Sequence, residues 1–164
     1  QQKMSEVCST TLPQMSIPRV MTHPEYPKYL NARIRRYEKL SNMAFNILKN
    51  VPYIVVNRTD GAFYMSVVFN EAVLNNQQTL PIEHDGIRQY IEKITSDNIE
   101  LDKRFVYYLL GSTGICVVPL TSFFTPLMGF RLTLLETDED RFEHTVKKLG
   151  EKIVEYIDST KRTA

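Results

Sequence analysis

The stretch that most constrains the fold of this chain is residues 114–135. It contains two short apolar runs typical of β-strands, 115–118 and 130–135, separated by a loop with a proline near each end. In the second run, side chains alternate between the two faces of a strand, so Arg131 lies on the face opposite Phe130. An arginine within an otherwise apolar strand is costly to bury unless an anion meets it. Arg131 therefore needs an explanation.

Two explanations for Arg131 follow from the residues alone. The side chain can lie at a sheet margin, extend to water and pair with an ordinary Asp or Glu, as most strand arginines do. Alternatively, it can bind a carboxylate or phosphate ligand, because a planar guanidinium offers two parallel donors that match either group. Composition does not choose between the two explanations.

The N-terminal part of the chain predicts a connector followed by a helix. Residues 1–28 carry four prolines and little periodicity, and 13–27 predict an extended segment. Residues 29–50 have a clear helical period that places apolar side chains, Leu30 and Ile34 among them, on one inward stripe.

The remaining elements alternate between strands and helices. Residues 51–56 and 62–69 predict a strand pair joined by a short turn. Helices are predicted next, the second of them ending at Gly111, and a long helix follows residue 135 with Thr137 as its cap. The order predicts an α+β fold, with helices covering one face of a small, mostly antiparallel sheet of about four strands.

Two of these strands resemble a known family. Residues 112–135 contain Thr-Gly-Ile-Cys-Val-Val-Pro and then Phe-Arg-Leu-Thr-Leu, and residues 61–64 read Gly-Ala-Phe-Tyr. Both resemble strand motifs of the small, C-terminal domain of class I/II pyridoxal-phosphate aminotransferases of fold type I, most of all the alanine aminotransferase group. The resemblance covers nearly the whole of this chain.

The resemblance implies a function and a division of the chain. Residues 1–28 would be a connector from a missing N-terminal large domain, and 29–164 the small domain. The parent enzyme would be a homodimer that moves an amino group between an amino acid and a 2-oxo acid. Arg131 matches the arginine that binds the substrate's α-carboxylate in that family.

The resemblance also implies what this fragment lacks. Transamination needs a lysine that forms a Schiff base with pyridoxal phosphate. In the family that lysine lies in a Ser/Thr-rich motif of the large domain, and neither Lys3 nor Lys161 matches it. No catalytic, cofactor-binding or metal-binding residue is therefore assigned here, and the fragment alone is expected to be inactive.

One loop departs from the family pattern. The family follows Val-Val-Pro with Gly-Ser-x-Phe-Gly, whereas Leu120 and Phe124 stand here at the two glycine positions. Both exchanges remove backbone freedom and add bulk beside the expected site. The departure indicates either a substrate preference other than alanine or an impaired parent enzyme.

Bulk properties argue against several other classes. A net charge of +1 gives no electrostatic footprint for nucleic acid or an anionic membrane. No run approaches the ~20 apolar residues that cross a bilayer. Cys8 and Cys116 lack zinc spacing, as do the three histidines, and so few cysteines favour a reducing cytoplasm.

Two alternatives stay open at this point. The chain can be a stand-alone, non-catalytic binding module that kept the small-domain fold, which the absent lysine and the altered loop motivate. It can also bind RNA through a Gly-x-x-Gly loop at 111–114, although basic flanking residues are missing.

Overall fold

The computed structural model describes residues 10–96 and 98–161. Lys3 and Cys8 lie outside these ranges. The chain divides into two compact units, Gln1–Arg36 and Tyr37–Ala164.

The first unit is helical where it was predicted to be extended. Helix α1 spans Thr11–Met21, so the extended conformation predicted for 13–27 is wrong. Pro13 lies in the first turn, where its missing N–H would have had no intrahelical partner in any case. Pro18 lies inside the helix and gives up one backbone hydrogen bond, yet the helix continues past it to Met21.

Helix α2 spans Tyr26–Leu48, which confirms the helix predicted over 29–50. The predicted burial is right only for its C-terminal half. Leu30 and Ile34 are 42% and 53% exposed, so their placement on an inward stripe is wrong. The stripe enters the core at Leu40, and its fully buried apolar members are Leu40, Ala44 and Leu48.

The sheet has four strands in the described part of the chain, all antiparallel, in the order β1-β2-β4-β3. The strands are β1 Ile54–Val56, β2 Tyr64–Phe69, β3 Val118–Pro119 and β4 Gly129–Thr133. The predicted α+β class with a small antiparallel sheet is therefore confirmed. The stretches that resemble the family lie at the start of β2 (61–64), at β3 (113–119) and along β4 (130–134).

Three further helices complete the second unit: α3 Asp85–Ile94, α4 Leu101–Thr113 and α5 Glu139–Asp158. The predicted end of α4 at Gly111 is wrong. The helix ends at Thr113 because Gly114 takes the left-handed conformation, with φ 75°, and its N–H donates to the Leu110 carbonyl.

The cap of α5 lies one residue later than predicted. The side chain of Asp138, not Thr137, accepts a hydrogen bond from the backbone N–H of Arg141 at 3.0 Å. The Thr137 N–H and hydroxyl both donate hydrogen bonds to the carboxylate of Glu136 instead. A carboxylate at the N-cap also complements the helix dipole.

The core lies on one face of the sheet. The predicted alternation in β4 is confirmed, because Phe130 and Leu132 are buried and pair in register with buried Val67 and Met65 of β2. An aromatic cluster fills the centre, with ring centroids between 5.1 and 5.9 Å apart, formed by Phe69, Phe105, Phe130 and Tyr156. None of the described helices is both long and apolar enough to cross a membrane.

Candidate functional site

Arg131 lies in the middle of β4, on the face of the sheet opposite the core. Its backbone pairs with Ser66 of β2 on one side and with Val118 of β3 on the other. Two neighbouring strands thus fix its position. The side chain is half-buried.

The Arg131 guanidinium contacts two aromatic rings. Its central carbon lies 4.2 Å from the ring centroid of Tyr64 and 4.0 Å from that of Phe123. Within residues 10–96 and 98–161, it has no hydrogen bond and no carboxylate partner. The ring contacts hold the cation through the π-faces and leave its five N–H donors unused. No ordinary ion pair with an Asp or Glu of the described ranges therefore holds Arg131.

A buried carboxylate holds the loop that carries Phe123. This loop begins with a 3₁₀ turn, Leu120–Phe123. Asp102 of α4 is fully buried and accepts hydrogen bonds from Thr121 N at 3.0 Å and Thr121 Oγ1 at 2.7 Å. It also accepts a longer one, 3.4 Å, from the backbone N–H of Gly129. Asp102 therefore ties both ends of the loop to the helix.

Sequence reasoning missed Asp102. It stands in the first turn of a helix, where an acidic residue is ordinarily explained by the dipole. Nothing in the sequence links it to Thr121, 19 residues further on. Only the packing of α4 against the loop brings the two together.

Gly129 allows β4 to approach β2 closely. A Cβ at this position would lie 2.2 Å from the Val67 carbonyl oxygen and 2.8 Å from Leu120 Cδ1. Any larger residue would push β4 away from β2. Because Gly129 precedes Arg131 by two residues, it also fixes where the guanidinium stands.

The two departures from the family loop have different outcomes. Leu120 turns inward and is buried, so its bulk packs beneath the loop. Phe124 is fully exposed and takes the left-handed conformation, with φ 58°, at the end of the 3₁₀ turn. That conformation costs a non-glycine residue roughly 1 kcal/mol.

A second arginine, Arg104 of α4, is buried and is also without an acidic partner in the described ranges. Its donors are occupied by neutral acceptors: the Gln78 carbonyl at 3.3 Å, the Thr95 carbonyl at 2.8 Å and the Tyr108 hydroxyl at 3.5 Å. Thr95 is the C-cap of α3, where a cation complements the helix dipole. These contacts explain Arg104 as a structural residue.

The other candidate sites are not supported. The described residues contain no group of three or more His, Cys, Asp or Glu that could hold a metal ion. His84 caps α3, its Nδ1 accepting from the Ile87 N–H at 3.3 Å. The Gly-x-x-Gly loop proposed at 111–114 is wrong, because Gly111 lies inside α4 and only Gly114 leaves the helix.

Lys161, the described lysine weighed above for a Schiff-base role with pyridoxal phosphate, does not fit that role. Such a lysine must lose its proton, which a desolvated pocket promotes. Lys161 instead donates to the Tyr53 hydroxyl and pairs with Asp158 at 2.9 Å, and these partners raise its pKa to about 12. These surroundings differ from the desolvated pocket that a Schiff-base lysine needs.

Comparison with known proteins points to the aminotransferases. No family model matches the chain. Over 155 residues, however, the chain is 53% identical to a curated relative from Methanocaldococcus jannaschii named an uncharacterized aminotransferase. The match covers 94% of this chain and 36% of that relative, so the chain spans about a third of its length. The chain is thus similar to part of a protein that is named an aminotransferase.

Proposed function

We propose that this chain is the C-terminal small domain of a pyridoxal-phosphate aminotransferase, and that Arg131 binds the α-carboxylate of its substrates. The parent enzyme moves an amino group between an amino acid and a 2-oxo acid. One observation carries the proposal. The Arg131 guanidinium lies on the face of the sheet opposite the core, where it contacts two aromatic rings and no acidic side chain of the described ranges. The relative's name agrees with it.

The chemistry of the site follows from the unused donors. A carboxylate has two oxygens at the spacing of two parallel guanidinium N–H groups, so it forms a bidentate, charge-assisted pair. Losing a charge-assisted hydrogen bond costs about 1.5–3 kcal/mol, and the two bonds of one bidentate pair do not add. Both substrates of a transaminase carry this carboxylate, so one arginine serves both half-reactions.

Other parts of the parent supply what this chain lacks. On this proposal, the pyridoxal phosphate and its lysine belong to the N-terminal large domain, together with the main interface of a homodimer. Closure of the small domain over the large one would exclude water from the pair at Arg131 and strengthen it. A cytoplasmic location remains a prediction.

The proposal is tested by kinetics of the longer parent protein. Common L-amino acids, beginning with alanine, are assayed with a panel of 2-oxo acids. Arg131→Gln should lower kcat/KM for the best substrate by roughly 10- to 100-fold, because a charge-assisted pair is lost. Arg131→Lys should recover only part of it, because the ammonium lacks the planar fork.

A kcat/KM that is unchanged in Arg131→Gln would contradict the proposal. A native chain little longer than these 164 residues would favour the alternative, a non-catalytic binding module. The intact mass of the protein purified from its own source distinguishes the two.

A further inference from the structure

The structure points to Tyr64 and Phe123 as positioning residues for substrate recognition: we infer that their rings hold the Arg131 guanidinium in its carboxylate-binding orientation before substrate arrives. This inference rests on the proposed function and extends it. Tyr64 and Phe123 are called the aromatic pair below.

The aromatic pair approaches the guanidinium from different directions. Tyr64 comes from β2, and Phe123 comes from the 3₁₀ turn. Both ring centroids lie within 4.2 Å of the Arg131 central carbon, yet the two rings make no contact with each other among the described ring pairs. The guanidinium therefore occupies the space between them and is confined on more than one side.

Both rings are themselves held in place. Tyr64 stands opposite Thr133 in the β2–β4 ladder, and its ring contacts that of Phe63 at 4.4 Å. Phe123 belongs to the turn that Asp102 ties to α4 through Thr121. Tyr64 and Phe123 are 37% and 42% exposed, so part of each ring faces solvent, and these contacts restrict the motion of both rings.

The type of support matters for binding. An aspartate or glutamate would hold an arginine equally well, but it would neutralise the charge and occupy the donors that the substrate needs. A ring attracts the cation through its π-face and leaves the in-plane N–H groups available. Holding a long side chain in its bound conformation also lowers the entropy lost on binding.

The inference predicts an effect on binding alone. The rings support Arg131 equally in the substrate complex and in the transition state, so losing one ring should raise KM and leave kcat nearly unchanged. The expected rise is roughly 3- to 30-fold for one ring, the range of a cation–π contact between exposed and desolvated settings. It should appear for the amino acid and for the 2-oxo acid, since both carry the carboxylate.

The experiment compares four variants of the parent protein that remove or keep a ring. Tyr64→Leu and Phe123→Leu remove one and should raise KM. Tyr64→Phe and Phe123→Tyr keep the ring and should behave like the wild type, because the tyrosine hydroxyl has no part in the contact. Tyr90→Leu is the matched control, since Tyr90 is 62% exposed on α3 and should leave both constants unchanged.

The outcomes separate this inference from the function on which it rests. If Arg131→Gln raises KM but the two leucine variants do not, the aromatic pair has no positioning role and the proposed function stands. If Arg131→Gln has no effect either, the proposed function itself fails. A fall in kcat and in thermal stability that the ring-keeping variants share would show a merely structural role and overturn the inference.

Discussion

Two arginines of this chain, Arg104 and Arg131, have opposite surroundings although neither has an acidic partner in the described residues. Arg104 is 9% exposed, and three of its donors go to two carbonyls and a hydroxyl. Arg131 is half-buried and contacts only rings through its guanidinium. The fold thus uses three of the five N–H donors of Arg104.

The difference teaches how to tell a structural arginine from a binding one. Burial alone would rank Arg104 as the more unusual residue, since an unpaired buried charge is costly. The number of hydrogen-bonded guanidinium N–H groups reverses that ranking, because Arg104 has three and Arg131 has none among the described residues. An arginine whose N–H groups are hydrogen-bonded within the protein stabilises the fold. An arginine that is held by aromatic rings keeps its N–H groups available to a ligand.

The largest expected difference is in stability. Arg104→Met leaves two buried carbonyls and a hydroxyl without their donor and should lower the free energy of unfolding by about 3–5 kcal/mol. Arg131→Met loses only the two ring contacts and should cost less, about 1–2 kcal/mol. Urea unfolding of the chain measures both, with the exposed Arg88→Met as control. Equal losses at the two arginines would break the comparison.

A smaller loss is expected where β4 approaches β2. Gly129→Ala places a Cβ 2.2 Å from a backbone oxygen, which cannot move without shifting a strand. The cost should be about 1–3 kcal/mol, and the displaced β4 should also weaken substrate binding in the parent. Gly61→Ala is the matched control, because its Cβ would meet no atom within 4 Å. If the two alanine variants prove equally stable, β2 and β4 do not pack as described.

Asp102→Asn tests the support of the Phe123 loop. The amide keeps one acceptor and turns a donor toward the N–H groups of Thr121 and Gly129, so a loss of about 1–2 kcal/mol is expected. Hydrogen exchange at these two amides should increase with it. Asp140→Asn, at an exposed position of α5, should change neither quantity. Unaltered exchange in Asp102→Asn would mean that the loop does not depend on this carboxylate.

The smallest expected effect is a loss of stability at high pH that is caused by Tyr156, which lies near Arg104. Burial raises the pKa of Tyr156, and the nearby Arg104 charge offsets part of that rise. The unfolded chain loses this proton near pH 10 while the folded chain keeps it, so stability should fall above pH 10 by up to about 1.4 kcal/mol per pH unit. Tyr156→Phe should remove that share of the fall.

The same variant should cost little near neutral pH. By distance and angle the Tyr156 hydroxyl makes no hydrogen bond among the described residues, and the nearby Arg104 guanidinium favours only its ionised form, so removing the hydroxyl should leave no group unsatisfied. Stability curves of the wild type and Tyr156→Phe between pH 7 and 11.5 measure both effects. Parallel curves across the whole range would contradict the buried, protonated tyrosine.

The sequence predicted what depends on local pattern. Alternation placed Arg131 and Phe130 on opposite faces of β4, and helical periodicity found α2 and α5. The predictions that were wrong depended on the backbone conformation of single residues. Pro13 was compatible with a first helical turn, and α4 ran past Gly111 to a residue that takes a positive φ.

The contacts of the Arg131 side chain could not be predicted from the sequence, for a different reason. Phe123 precedes Arg131 by eight residues, and Tyr64 lies on another strand, so their meeting depends on strand register and on a loop conformation. The loop in turn depends on Asp102, which no motif marks. The sequence could name the arginine, but it could not show how the arginine is held.

The most direct measurement combines the arginine with the ligand group it is proposed to bind. In the parent protein, the best amino-acid substrate and its carboxamide are compared as ligands of the wild type and of Arg131→Gln. The wild type should prefer the carboxylate by roughly 10- to 100-fold, and Arg131→Gln should lose most of that preference because the carboxylate has lost its partner. A preference that is as large in Arg131→Gln as in the wild type would contradict the account.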